Sequence, residues 1–305
     1  MPIELLKEKY SGAINVVSVG TGPKAIKIGG ETSLPFLFEE GDTPNAPVIA
    51  FEILDCEPSD WPDQLKEPFG DSVKDPAAWA KKCVEDFGAR ALCVRLQSVH
   101  PDCGNVSPDK AVSVLKSIAS AVKVPLIVVG CGDDELDNDL LPKASQAMKG
   151  ENVLLGAATQ NNYKTLAATT LADGHSIIAE SPIDINIAKQ VNILISDMGL
   201  DPSKIVMHPT TTSLGYGMEY VYSIMERARL AAFIGDKMLS MPFILFVGQE
   251  TWRIKEAKES GLRQGVNWEA ATAVSMIQAG ADLIVLRHPE AAKAVGKYID
   301  VLMKK

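Results

Sequence analysis

The stretch from His175 to Pro209, HSIIAESPIDINIAKQVNILISDMGLDPSKIVMHP, contains one complete strand–helix–strand unit. HSIIAE (175–180) and KIVMHP (204–209) are short, mostly apolar runs without a polar face, as expected of strands buried on both sides. Between them DINIAKQVNILISDMGL (184–200) carries apolar residues at helical spacing. It opens on Asp184 in a capping position and ends at Gly199.

The same alternation runs outward in both directions. Further strand candidates are VIAFEIL (48–54), ALCVRL (91–96), PLIVVG (125–130), NVLLGA (152–157), FILFVG (243–248) and DLIVLR (282–287). Helical segments such as DPAAWAKKCVEDFGA, SPDKAVSVLKSIASAV and PEAAKAVGKYIDVLMKK separate or follow them. Eight strands alternating with eight helices predict an α/β fold, a (β/α)8 TIM barrel over residues 48–305. A doubly wound open sheet is the competing architecture, but no G-x-G-x-x-G follows any strand. Residues 1–47 form a separate extension: INVVSVG and KAIKIGG around TGP predict a β-hairpin that covers the amino-terminal end of the barrel.

Composition narrows the function. The chain has 305 residues, 46% of them hydrophobic, a net charge of −9 and a pI near 5.1. No overall basic field is present to attract nucleic acid or anionic membrane. The opening MPIELLKEKYSGA lacks a signal-peptide layout, and the longest apolar runs, such as MPFILFVG (241–248), are too short to span a bilayer. A cytoplasmic location is expected. Cys56, Cys83, Cys93, Cys103 and Cys131 include no C-x-x-C pair and read as reduced thiols without cluster spacing.

In this fold, ligands bind on the loops after the carboxyl ends of the strands. Those positions hold Asp55-Cys56-Glu57, Gln97 to His100, Cys131 to Asp134, Thr159 to Asn162, Ser181-Pro182, Gln249 to Thr251 and Arg287-His288. The sixth loop, HPTTTSLGYG (208–217), combines Thr210, Thr211, Thr212 and Ser213 with Gly215, Tyr216 and Gly217. Hydroxyls suit amide or carbonyl groups, and glycines allow backbone to approach a flat surface. His208, Asn161 and Gln249 complete the expected ligand-binding set. Alternatively the loop only leads into the next helix, with Ser or Thr as its N-cap.

No catalytic residue is assigned. There is no G-x-S-x-G elbow, no phosphate-binding P-loop and no strand-end lysine. His100, His208 and His288 each precede proline, which marks strand exits, and they lack metal-ligand spacing. Asp133-Asp134 reads as an acidic helix start. The long segment Asp55–Asp75, with Trp61 and Phe69, is expected to be a lid or contact surface.

At VIAFEILDCEPSDWPDQLKEPFGD, GARALCVRLQSVHPD, PLIVVGCGD and HPTTTSLGYGMEY the chain resembles the small (delta) subunits of corrinoid iron–sulfur proteins of acetyl-CoA decarbonylase/synthase complexes. The resemblance covers essentially the whole chain. It implies half of a heterodimer that shuttles a methyl group on cobalt in the reductive acetyl-CoA (Wood–Ljungdahl) pathway of anaerobes. A methyltransferase would pass the methyl of methyltetrahydrofolate to Co(I), and acetyl-CoA synthase/CO dehydrogenase would receive it from methyl-Co(III). The large subunit would carry the [4Fe–4S] cluster and the corrinoid-binding domain, with no cluster in this chain. The barrel mouth would cap the shared cobamide.

D-x-H-x-x-G, the pattern that places histidine on cobalt, is absent: DGHSII (173–178) has Ile178 where glycine is needed. A capping role without an axial ligand is therefore expected. The alternative is a free-standing pterin-dependent methyltransferase on the same fold, with Asp55, Asp133 and Asn161 holding the pterin.

Overall fold

A computed structural model of the chain describes residues 6–304; the first five residues of the opening stretch assessed above for a leader lie outside it. Two short strands, β1 (Val17–Val19) and β2 (Ile26–Ile28), pair antiparallel. Eight more follow: β3 (Val48–Leu54), β4 (Leu92–Arg95), β5 (Leu126–Val129), β6 (Leu154–Ala158), β7 (Ser176–Glu180), β8 (Ile205–His208), β9 (Phe243–Leu245) and β10 (Ala281–Leu286). They form a closed parallel barrel in chain order, and β10 pairs with β3 to shut it, with Leu283 opposite Val48. The eight strands coincide with the eight apolar runs of the sequence.

Side chains alternate across a strand, so every second residue enters the barrel. Ala50, Cys93, Ile127, Leu154, Ile178, Val206 and Val285 form a buried apolar cluster there, joined by Val17, Val19, Ile26 and Ile28 of the hairpin. The hairpin thus seals the amino-terminal end, as expected. Asn152 fastens it, donating from Nδ2 to the Ser18 carbonyl at 2.8 Å and accepting from Gly20 N–H at 2.8 Å.

Most helices begin at the caps anticipated from sequence. Asp75, Asp133 and Asp184 each accept backbone N–H bonds at the starts of helices Pro76–Glu85, Asp134–Ala147 and Ile185–Asp197. Two departures shape the mouth. β9 ends at Leu245, because Val247–Thr251 turns into a short helix carrying Gln249. Gly248 makes this possible: a Cβ there would lie 2.7 Å from Arg287 N and 2.9 Å from Glu269 Oε1.

The second departure is the segment 55–75, which is not an open lid. Trp61 and Phe69 are buried and pack edge-on against Trp79 at 5.2 and 5.4 Å. Gln64 ties the segment down by donating to the carbonyls of Ala257 and Lys258, both at 3.0 Å.

Candidate ligand site at the barrel mouth

Two residues beyond the apolar layer, the inward positions change character. Ala50 gives way to Glu52, Cys93 to Arg95, Ile178 to Glu180, Val206 to His208 and Val285 to Arg287. Glu52 is fully buried and bridges two guanidinium groups: Arg95 Nε donates to Oε1 at 2.7 Å and Arg287 Nε donates to Oε2 at 2.5 Å. Burial alone would raise the Glu52 pKa, but the charges of Arg287 and Arg95 outweigh it and hold the carboxyl at about 2.

Both arginines are fixed further. Arg95 Nη2 donates to Gln249 Oε1 at 2.5 Å, and its guanidinium lies 5.2 Å from the Phe246 ring centroid. Arg287 stacks over Trp61 at 4.6 Å. Glu269, buried on helix Leu262–Gln278, supports this end of β10. It accepts from Arg287 N at 2.6 Å, His288 N at 3.2 Å and Trp252 Nε1 at 2.8 Å. Burial pushes its carboxyl up to about 7, against the pull of those donors.

Above this network lies a cleft of about 480 Å³, with Arg95, Glu180, His208, Thr211, Phe246 and Gln249 among its lining residues. His208 Nε2 is 3.1 Å from Thr211 Oγ1, and His208 Nδ1 is 3.7 Å from Glu180 Oε2. Burial would raise Glu180, but hydrogen bonding and charge from His208, with the charge of Arg95, hold its carboxyl low.

The residues singled out from sequence divide into two groups. His208, Thr210, Thr211 and Gln249 line the cleft. Thr210 adopts φ +63°, strained for a β-branched residue, and donates to the Ser181 carbonyl at 2.8 Å. Thr211 Oγ1 accepts from Phe246 N at 2.9 Å. Thr212 Oγ1 is buried without a hydrogen-bond partner among the described residues. Ser213 instead meets Thr251 and Thr272 at 3.3 and 3.4 Å, toward helix Leu262–Gln278.

Tyr216 is half exposed and donates to Glu256 at 2.6 Å. Gly215 and Gly217 sit at φ +79° and +94°, and Gly217 rather than a serine or threonine occupies the N-cap position of helix Met218–Phe233. Asn161 lies outside the cleft lining and donates to Asp134 at 2.8 Å.

The acids that could imitate a pterin-holding set have internal partners. Asp55 accepts from Ser98 N at 2.9 Å and from the Ser98 hydroxyl, while Asp133 is a helix cap. Among the described residues, no group of three or more His, Cys, Asp or Glu side chains is placed to hold a metal. Cys83 and Cys93 are buried. Glu52, Arg95 and Glu180, which the sequence reading does not single out, stand on the strands β3, β4 and β7 rather than on the loops beyond them. Their signal was a single charge at the inward parity of an apolar run: VIAFEIL, ALCVRL and HSIIAE.

The sequence model of the CO dehydrogenase/acetyl-CoA synthase delta subunit matches residues 16–298. The chain belongs to this delta-subunit family. Its relatives include the acetyl-CoA decarbonylase/synthase complex subunit delta of Methanopyrus kandleri, 34% identical over 283 residues, covering 90% of this chain and 70% of that protein. The corresponding subunit of Methanocaldococcus jannaschii is 33% identical over 302 residues, covering 94% and 74%.

Both relatives are by name subunits of an acetyl-CoA decarbonylase/synthase complex. Among solved structures, the dihydropteroate synthase of Xanthomonas albilineans with 4-aminobenzoic acid superposes with a TM-score of 0.60 at 14% identity, over 87% of this chain and 96% of that one. The same enzyme from Thermus thermophilus in complex with 6HMPPP gives 0.56 at 14%, over 88% and 98%. This chain shares their barrel fold. No helix among its described residues is long and apolar enough to cross a membrane.

Proposed function

We propose that this delta subunit caps a cobamide held mainly by a larger partner subunit, within a methyl carrier of the reductive acetyl-CoA pathway. The observation that carries this reading is the mouth itself. It gathers preset polar groups around an open cleft, and the hydroxyl that lies beside His208, that of Thr211, is buried and already accepts from Phe246 N.

The residues present fit such a cap. A cleft of about 480 Å³ is of the size that takes a drug-like ligand, and a whole cobamide is far larger. A bound macrocycle would therefore be met at the rim, and the cleft would admit only its side arms. The cleft lining mixes donors and acceptors, Arg95, Glu180, Thr210 and Gln249 among them, a set that suits amide arms. His208 is 6% exposed and turns Nε2 toward Thr211, which supports a cap that leaves cobalt without a ligand from this residue. When bound, the cobamide supplies the metal centre that accepts and gives up the methyl group. This chain's residues shape the cavity, exclude water and orient the cofactor's rim. The methyl donor would be methyltetrahydrofolate acting through its methyltransferase, and the acceptor acetyl-CoA synthase/CO dehydrogenase.

Size-exclusion chromatography with the corrinoid-binding subunit tests the assembly. A one-to-one heterodimer is expected, burying on the order of 1,600 Å². A stable self-dimer that ignores that subunit would count against the proposal.

A further inference from the structure

We infer that Arg95 and Glu180 clamp a carboxamide side arm of the corrin inside the cleft, its carbonyl on the guanidinium and its N–H on the carboxylate. The inference rests on the capping role proposed above and assigns the groups that perform it. It also moves the recognition away from the threonine run, because Thr210 and Thr211 are already bonded within the chain.

Arg95 is built as a fixed donor. Its Nε is committed to Glu52, its Nη2 to Gln249, and its face lies over Phe246. Its Nη1 makes no hydrogen bond among the described residues, and the side chain lines the cleft. Two bonds and a ring contact hold the guanidinium, so little rotamer freedom remains to be lost on binding.

Glu180 is the facing acceptor. It stands at the end of β7, while Arg95 ends β4, and both line the same cleft. The two make no ion pair within 4.0 Å: the ion-pair contacts of Arg95 and Glu180 are to Glu52 and His208. The charges are thus close enough to share a cavity yet are left apart. Glu180 Oε2 meets His208 Nδ1 at 3.7 Å, and a carboxylate keeps acceptor sites beyond one such contact.

The charge pattern selects the ligand class. Asp134, Asp137 and Glu250 line the cleft with Glu180 and disfavour an anion, while Arg95 presents a donor on the opposite wall. A neutral group with an acceptor at one end and a donor at the other satisfies both walls, and a primary carboxamide has that form. The corrin carries such groups on its rim. The methylenes of an arm would meet Val129, Ala157 and Phe246.

The test uses the chain reconstituted with its corrinoid-binding subunit, and two corrinoid probes read by spectral titration. One probe is cobinamide, with free amides; the other is its analogue with those amides replaced by methyl esters, which keep the carbonyl and lack N–H. Glu180→Ala should weaken cobinamide binding roughly tenfold or more and leave ester binding at the parental level. Arg95→Lys, which keeps a cation beside Glu52, should weaken both probes, with circular dichroism confirming the fold.

Parental affinity of Glu180→Ala for cobinamide, or an equal loss for both probes, would overturn the clamp while leaving the capping role intact. Failure of the parental complex to take up either probe would instead remove the capping role itself.

Discussion

Glu52 and Arg95 meet at 2.7 Å inside a barrel whose next layer down is entirely apolar. With Arg287 on the other carboxylate oxygen, one buried anion holds two cations below the mouth. The geometry explains how a floor of charged groups stays rigid: each charge has a fixed partner.

Removing the shared anion should therefore be costly. Glu52→Ala leaves two buried guanidinium groups uncompensated, and a loss of about 3–5 kcal/mol is expected in denaturant unfolding. Its Arg95–Gln249 contact should loosen as well. A variant as stable as the parent would show that the network is not a structural floor.

The pH dependence has a definite sign. The Glu52 pKa is lowered to about 2, so its stabilisation is full above the unfolded value of 4.5 and is lost as pH falls toward 2. Glu269 is raised to about 7, so its folded state keeps a proton that the unfolded state releases, and stability drops as pH climbs from 4.5 to 7. Burial lowers His288 to about 4, which gives the opposite slope between 4 and 6.5. The difference between parent and Glu269→Gln isolates Glu269. The parent's advantage should shrink by roughly 3 kcal/mol from pH 4.5 to 7. A pH-independent difference would contradict the assignment.

Neighbouring threonines should behave differently. Thr211→Val strands the buried Phe246 N–H and should cost about 1–3 kcal/mol in stability. Thr212→Val removes a hydroxyl without a partner among the described residues and should leave stability within about 0.5 kcal/mol. If the free hydroxyl serves the ligand, Thr212→Val loosens corrinoid retention in the complex. Thermal melts and corrinoid retention, measured on both variants, separate the two roles.

The barrel was legible because each strand and helix carries its own period, and caps such as Asp75 and Asp184 mark the boundaries locally. The site was legible only in part. That 208–217 forms a polar loop follows from its residues, but the partner of each hydroxyl does not. Thr211 bonds Phe246 at a separation of 35 residues, and Ser213 meets Thr272 at 59. Glu52, Arg95 and Glu180 look like interruptions in apolar runs until the inward parity of each strand is known. Gly248 similarly gives no local sign that it admits a helix against β10.

The scattered cysteines bear on the partner's role. Cys93 lies inside the barrel and Cys83 in a packed helix, and burial raises both thiols, Cys83 to about 12. Anaerobically purified chain should hold no iron and no acid-labile sulfide. Stoichiometric amounts of both would place a cluster here and contradict the division of labour.

Ultraviolet–visible spectra of the chain, alone and with the corrinoid-binding subunit, test the capping claim most directly. Corrinoid absorbance should be retained after gel filtration only by the complex. The chain alone should show none and should not methylate free cobalamin from methyltetrahydrofolate. Turnover by the isolated chain would instead make it a free-standing methyltransferase and contradict the capping role.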